Sequence, residues 1–227
     1  MINNKEKISI EHQYIRYISG GNIVESEEFF NYVLVNEQQE VISREYDYIE
    51  KLYDDHYIVD NAVVTIDRDK KVPETIAKVQ CGVIRLNRDD NGRVIPYSEK
   101  TIVPFVFDNI HASNSNTVIA VITSECWSGY PRYTYIDLDL GSKNYGQPLL
   151  PVILDSAESF GQDYEGFAKC RLYGEDRYVP RNCEPMQKVK SDDLLTETEV
   201  KCLLNDAPKV KMKSLTGGCT KAQVPKK

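Results

Sequence analysis

Ile102-Val-Pro-Phe-Val-Phe-Asp-Asn-Ile110 is the stretch on which the fold turns, because it recurs. Val41-Ile-Ser-Arg-Glu-Tyr-Asp-Tyr-Ile49 and Leu149-Leu-Pro-Val-Ile-Leu-Asp-Ser-Ala157 align with it without a gap. Each copy carries two aliphatic residues, a Ser or Pro, a large apolar residue, an Asp, and an apolar residue two positions further on. Internal similarity of this kind marks a repeat architecture. A strand that opens at Pro lacks a ladder donor there, which suits a strand start or an edge. Asp47, Asp108 and Asp155 then close the strand, since an Asp side chain accepts backbone N–H groups in turns.

The flanks repeat as well. Gly82-Val-Ile-Arg-Leu86 and Thr134-Tyr-Ile-Asp-Leu138 precede the second and third copies. Ile84 with Leu86, and Ile136 with Leu138, fall on one face at period two, which places Arg85, Tyr135 and Asp137 on the outer face. Ala120-Val-Ile122 and Ala168-Lys-Cys170 read as return strands, and Arg177-Tyr-Val179 starts a further repeat that is truncated. The expected fold is therefore mainly β, built of irregular tandem antiparallel β-hairpin repeats. We expect a repeat body over residues 1–190, a helical appendage over 191–206, and a flexible lysine-rich tail over 207–227.

The order Tyr135-Ile-Asp, Gly146, Leu149-Leu-Pro, Leu154-Asp-Ser-Ala, Phe160 and Glu165-Gly-Phe-Ala-Lys-Cys170 resembles the WG repeat family of tandem β-hairpin modules. Gly82-Val-Ile, Gly92 and Ile102-Val-Pro to Ile110 form a second match, and the segment from Tyr32 to Asp60 a weak first copy. The Trp-Gly pair that names the family is missing: Cys81 precedes Gly82, and neither Thr134 nor Arg177 restores it. The resemblance implies a β-rich interaction scaffold without common catalytic residues. It names no substrate.

Thr196-Glu-Thr-Glu199 is a capping box, with Leu195 and Val200 at hydrophobic-staple positions. Val200, Leu203 and Leu204 give the helix an apolar stripe, and Asn205 and Pro208 end it. Helix is expected at Thr196 through Leu204, with the N-terminal segment as the other candidate.

Glu6, Glu11 and Arg16 interrupt the apolar run that a secretory leader needs, which points to the cytoplasm. There the six cysteines stay mostly reduced. None forms a C-x-x-C pair, and His12, His56 and His111 lack metal-site spacing, so neither a metal nor a cofactor is expected. No apolar run is long enough to cross a membrane as a helix.

Glu25 to Asp60 holds eleven acidic residues against Arg44 and Lys51, a local net charge of −9, while the whole chain carries −7. Six lysines and no acid follow Asp206. An acidic body opposes direct nucleic-acid binding, which needs cations facing phosphates.

A nucleophile, base and orienting acid could be assembled from Cys126, His111 and Asp108. The plainer reading is a strand-end thiol, an exposed imidazole and a turn carboxylate. Asp137 with Asp139 could serve hydrolysis, or form a solvated strand face. Cys126-Trp-Ser-Gly-Tyr-Pro-Arg-Tyr133 holds the single tryptophan. Trp, Tyr and Arg dominate interface hot spots, although the plainer reading is that Trp127 folds back over the hairpin core.

The expectation is a non-catalytic module that binds a basic protein partner. A more pointed form is an acidic inhibitor or immunity-type protein occupying a nucleic-acid-handling cleft by charge mimicry. The partner-binding residues are Glu25, Glu27, Glu28, Asp54, Asp55, Trp127, Tyr130 and Arg132, with no catalytic residue assigned. The competing expectation is a hydrolase whose site is assembled from sequence-distant residues.

Overall fold

The computed structural model describes residues 6–15, 18–19, 22–23, 29–67, 74–114, 116–123 and 129–205. Residues 207–227, read above as a tail, Gly20-Gly21, Cys126 and Trp127 lie outside them, as do Glu25, Glu27 and Glu28. The protein is mainly β, with several small antiparallel sheets and one short C-terminal helix. It divides into two units, Met1–Phe107 and Asp108–Lys227. No helix among the described residues is long and apolar enough to cross a membrane.

In the first unit β1 (Ser9–Ile15) pairs with β4 (Phe29–Val35), so the N-terminal segment is strand and not helix. Between them β2 (Ile18–Ser19) and β3 (Asn22–Ile23) form a small hairpin. A four-stranded sheet follows in the order β5 (Tyr48–Lys51), β6 (His56–Asp67), β7 (Glu74–Arg85) and β8 (Lys100–Phe107). Its core gathers Leu34, Ile42, Tyr46, Ile49, Tyr57, Val59, Ile84 and Leu86.

Pro104 does not open a strand as expected. It sits inside β8, where the pairing with β7 slips between Cys81↔Phe107 and Val83↔Val103. A bulge tolerates a residue without a ladder donor, which is why Pro fits there.

In the second unit β10 (Thr117–Thr123) lies between β9 (Asn109–Ser113) and β11 (Pro131–Asp137). A second sheet runs β12 (Ser156–Ala157), β13 (Phe167–Leu172) and β14 (Glu175–Pro180). Its core holds Tyr135, Leu149, Leu150, Leu154, Phe160, Ala168, Cys170, Leu172 and Val179.

The repeat is visible in hydrogen bonds. The N–H groups of Asp47, Asp108 and Asp155 donate to the carbonyls of Asp60 (3.0 Å), Val121 (2.8 Å) and Arg171 (2.7 Å). Each acceptor faces the residue after the Asp across the first hairpin of its repeat. At the other end of the repeat, the N–H groups of Leu86, Leu138 and Arg181 donate to Asp55, Asn116 and Gly166 at 2.9, 2.9 and 2.8 Å.

The last strand of one repeat receives the opening segment of the next. Tyr32 with Tyr46 and Tyr133 with Leu154 exchange both backbone hydrogen bonds, and Tyr178 does the same with Leu195. The truncated fourth repeat therefore begins like the others. Thr196 then stands where Asp47 and Asp155 stand, and it leads into α1 (Glu197–Asn205) instead of a strand. Its N–H donates to Glu199 Oε2 at 2.8 Å, and its Oγ1 accepts the Glu199 N–H at 3.3 Å. These are the two halves of a capping box. Val200 is fully buried.

Tyr135 and Asp137 are not on an outer face. Tyr135 is wholly buried and Asp137 is 2% exposed. Period-two alternation exposes one face only where a sheet has one dry side, whereas β11 is covered on both. The Tyr135 ring meets Phe160 edge-on at 5.1 Å. Its hydroxyl lies 2.8 Å from the Glu158 carbonyl, and it accepts the Glu158 N–H at 3.1 Å.

Candidate interaction surface

Two of the three aspartates of the repeat, Asp108 and Asp155, do more than close a strand. Asp155 Oδ2 accepts the N–H of Gly174 at 2.8 Å, and Asp108 Oδ2 accepts the N–H of Thr123. Both donors lie on the return side of their repeats, distant in sequence, so these carboxylates tie the opening of a repeat to its far hairpin. Asp155 also forms an ion pair with Arg132 at the start of β11. One carboxylate thus joins the start of β11 to the turn between β13 and β14.

That turn consists of Tyr173 and Gly174, between the paired residues Leu172 and Glu175. Their φ values are 52° and 79°, so both are left-handed, the requirement of a type I′ hairpin turn. Gly takes this conformation readily, but a bulky aromatic rarely does. Tyr173 is nevertheless held there with 68% of its surface exposed, and Tyr130, two residues before Arg132, is 69% exposed. The result is two outward tyrosines whose backbones are linked through a partly buried Arg–Asp pair. Trp127 lies outside the described residues.

Asp54 and Asp55 belong to the first unit. Asp54 is exposed in the turn between β5 and β6, with φ of 46°. Asp55 is turned inward: it takes Arg88 as a fork, with Nη2 at 2.7 Å from Oδ1 and Nε at 2.9 Å from both oxygens. Arg88 Nη1 also donates to the Gly92 carbonyl at 2.6 Å. Glu37, Glu40, Glu45, Asp47, Glu50 and Asp54 are exposed in the same stretch, with Arg44 and Lys51 as the exposed cations. The described part of the acidic run is thus largely a surface.

The residues considered for catalysis are spread among structural duties. Asp108 holds Thr123, His111 is exposed on β9, and Cys126 is outside the described residues. Asp137 pairs with Arg181 at 2.8 Å and accepts the Asp139 N–H, while Asp139 caps the Gly141 N–H at 2.9 Å. Asp137, Asp139 and Arg181 line a cleft of about 430 Å³ with Lys143 and Glu184, which pair at 2.7 Å. Burial pushes the Cys170 thiol up to about 12, which leaves it a protonated core residue at neutral pH. No group of His, Cys, Asp and Glu suited to a metal ion occurs among the described residues.

Sequence reasoning missed Tyr173 and Arg88, and read Asp155 only as a residue that closes a strand. Tyr173-Gly174 carried a readable signal, since two residues ending in Gly between strand-like runs mark a hairpin. The Arg88–Asp55 and Arg132–Asp155 pairs join residues far apart in sequence and carried none. Comparison with family models, curated proteins and solved structures finds no match.

Proposed function

We propose that this chain is a non-catalytic protein-binding module of the β-hairpin-repeat kind, akin to the WG repeats and cytoplasmic, whose partner is a basic protein. The observation that carries the reading is the outward pair Tyr130 and Tyr173 around the Arg132–Asp155 bond. Tyrosine and arginine are the side chains that most often dominate binding energy, because they join large contact area to polar handles. Holding an exposed tyrosine in left-handed backbone costs about 1 kcal/mol, and a solvated turn gains nothing from it. Strain retained at an exposed position is a mark of a functional surface.

The exposed carboxylates from Glu37 to Asp54 support a basic partner, since complementary fields speed encounter and reject like-charged competitors. The pointed form of the proposal is an inhibitor or immunity-type protein that covers a cationic cleft. Affinity capture tests the reading, with the wild type and a Tyr130→Ala/Tyr173→Ala double variant as paired baits. A stoichiometric basic protein held by the wild type and lost from the variant is the expected result. Equal recovery by both baits removes these tyrosines from the interface.

A further inference from the structure

The Asp55–Arg88 fork forms one wall of a cleft of about 530 Å³ within the first unit. Glu6, Lys7, Lys51, Asp54 and Tyr57 contribute to the remaining walls. Three carboxylates and three cations therefore line it, an even balance in a chain that is otherwise acidic.

The engaged and unengaged groups differ in kind. Asp55 is held by Arg88, Glu6 Oε2 accepts the Val94 N–H at 2.8 Å, and Asp54 is not without a partner. By contrast, the ammonium groups of Lys7 and Lys51 have no ion-pair partner among the described residues. Tyr57 is 1% exposed, and its buried hydroxyl makes no hydrogen bond among the described residues. Tyr57 lines the cleft together with Asp55 and Arg88. A buried hydroxyl left unsatisfied is destabilising, and each such group calls for an explanation. The uncommitted groups are thus donors, set among carboxylates that can receive a cation.

We propose that this cleft binds a small zwitterion of the α-amino-acid class. Its carboxylate is held by the Lys7 and Lys51 ammonium groups, and its ammonium faces Glu6 and Asp54. The Tyr57 hydroxyl is closed over in the unliganded chain, so it donates to the carboxylate only as the side chains above it shift. The volume lies within the range of small-molecule sites. A phosphate dianion fits the cleft poorly, because three carboxylates face it.

Calorimetric titration of the full chain with each of the twenty standard amino acids, and with inorganic phosphate and acetate as comparison probes, tests this. At least one amino acid should bind saturably, and more tightly than either simple anion. Lys51→Met should weaken that binding roughly tenfold or more, the scale of a lost charge-assisted hydrogen bond. Tyr57→Phe should weaken it too, while the unliganded variant stays as stable as the wild type or gains stability. Lys51 is exposed, so its variant reads out binding even if a change at Tyr57 disturbs folding. The proposal is overturned if no amino acid binds at millimolar concentration, if phosphate or acetate binds as well, or if Lys51→Met leaves affinity unchanged.

Discussion

Single residues set both the strain and the tightness of this protein. Tyr173 occupies a left-handed position with most of its surface exposed, so Tyr173→Asn should raise stability by about 0.5–1 kcal/mol, because Asn tolerates that conformation. Urea unfolding measures this, and the same variant should bind the proposed partner less well. Gain of stability with loss of binding is the signature of a strained contact residue; loss of both would mean that Tyr173 packs. Gly82 is the opposite case. A Cβ there would meet the Val103 carbonyl oxygen at 2.8 Å and the Phe105 ring at 3.1 Å. Gly82→Ala should therefore cost about 1–3 kcal/mol, the scale of overpacking against a backbone that cannot move. In sequence Gly82 reads as the head of a period-two flank and as the glycine at the place of the missing Trp-Gly pair, but not as a residue without room for a Cβ, since its need for closeness comes from the β7–β8 bulge around Pro104. Tyr135 and Asp137 were likewise illegible: alternation predicts their side of the strand correctly, but nothing local says that the second side is covered.

At the scale of elements, the same chain position ends in a strand or a helix according to two side chains. Asp47 and Asp155 lead into strands, whereas Thr196, entered through an equivalent backbone pairing, leads into α1 because Glu199 completes the capping box. This element was legible almost to its ends, since capping is local chemistry written within four residues. Thr196→Ala should cost roughly 1 kcal/mol, with the loss seen in the helical part of the circular dichroism signal before global unfolding. The turn between β5 and β6 was less readable. His56 is fully buried there, its ring 4.9 Å from that of Tyr53. Burial first, and then the Arg85 charge, lower its pKa below the ordinary value of 6.5. The folded chain thus binds this proton less readily than the unfolded one, so stability from a neutral His56 is complete above about pH 6.5. It is lost as the pH falls below that value toward the lowered folded pKa. The midpoint of thermal unfolding should fall between pH 7 and pH 5, and His56→Gln should flatten part of that slope.

Across the whole molecule the question is why the charge is concentrated. Repeats explain the β content: the recurrent Asp and the period-two flanks were enough to read tandem hairpins, because hydrogen-bonding duty recurs wherever the backbone path recurs. They do not explain an excess of carboxylates over cations in one stretch, since the second copy balances Asp89, Asp90, Glu99 and Asp108 against Arg85, Arg88, Arg93 and Lys100. Clustered like charge opposes compaction through self-repulsion and is not needed for solubility. Exposure of Glu37, Glu40, Glu45, Asp47, Glu50 and Asp54 leaves their field in the solvent, where it can act on an approaching cation. Such a field is screened as the Debye length shortens from about 30 Å at 0.01 M salt to about 8 Å at 0.15 M. Association with the captured partner should therefore slow markedly over this range in surface-plasmon kinetics. Glu40→Gln/Glu45→Gln/Glu50→Gln should lower the on-rate and its salt dependence together while leaving the off-rate nearly unchanged, because rim charges steer encounter more than they hold the complex. Tyr130→Ala should do the reverse and raise the off-rate, as loss of a desolvated anchor does. An on-rate indifferent to both salt and the triple substitution would make the acidic stretch a solvated surface and leave recognition to the tyrosines alone.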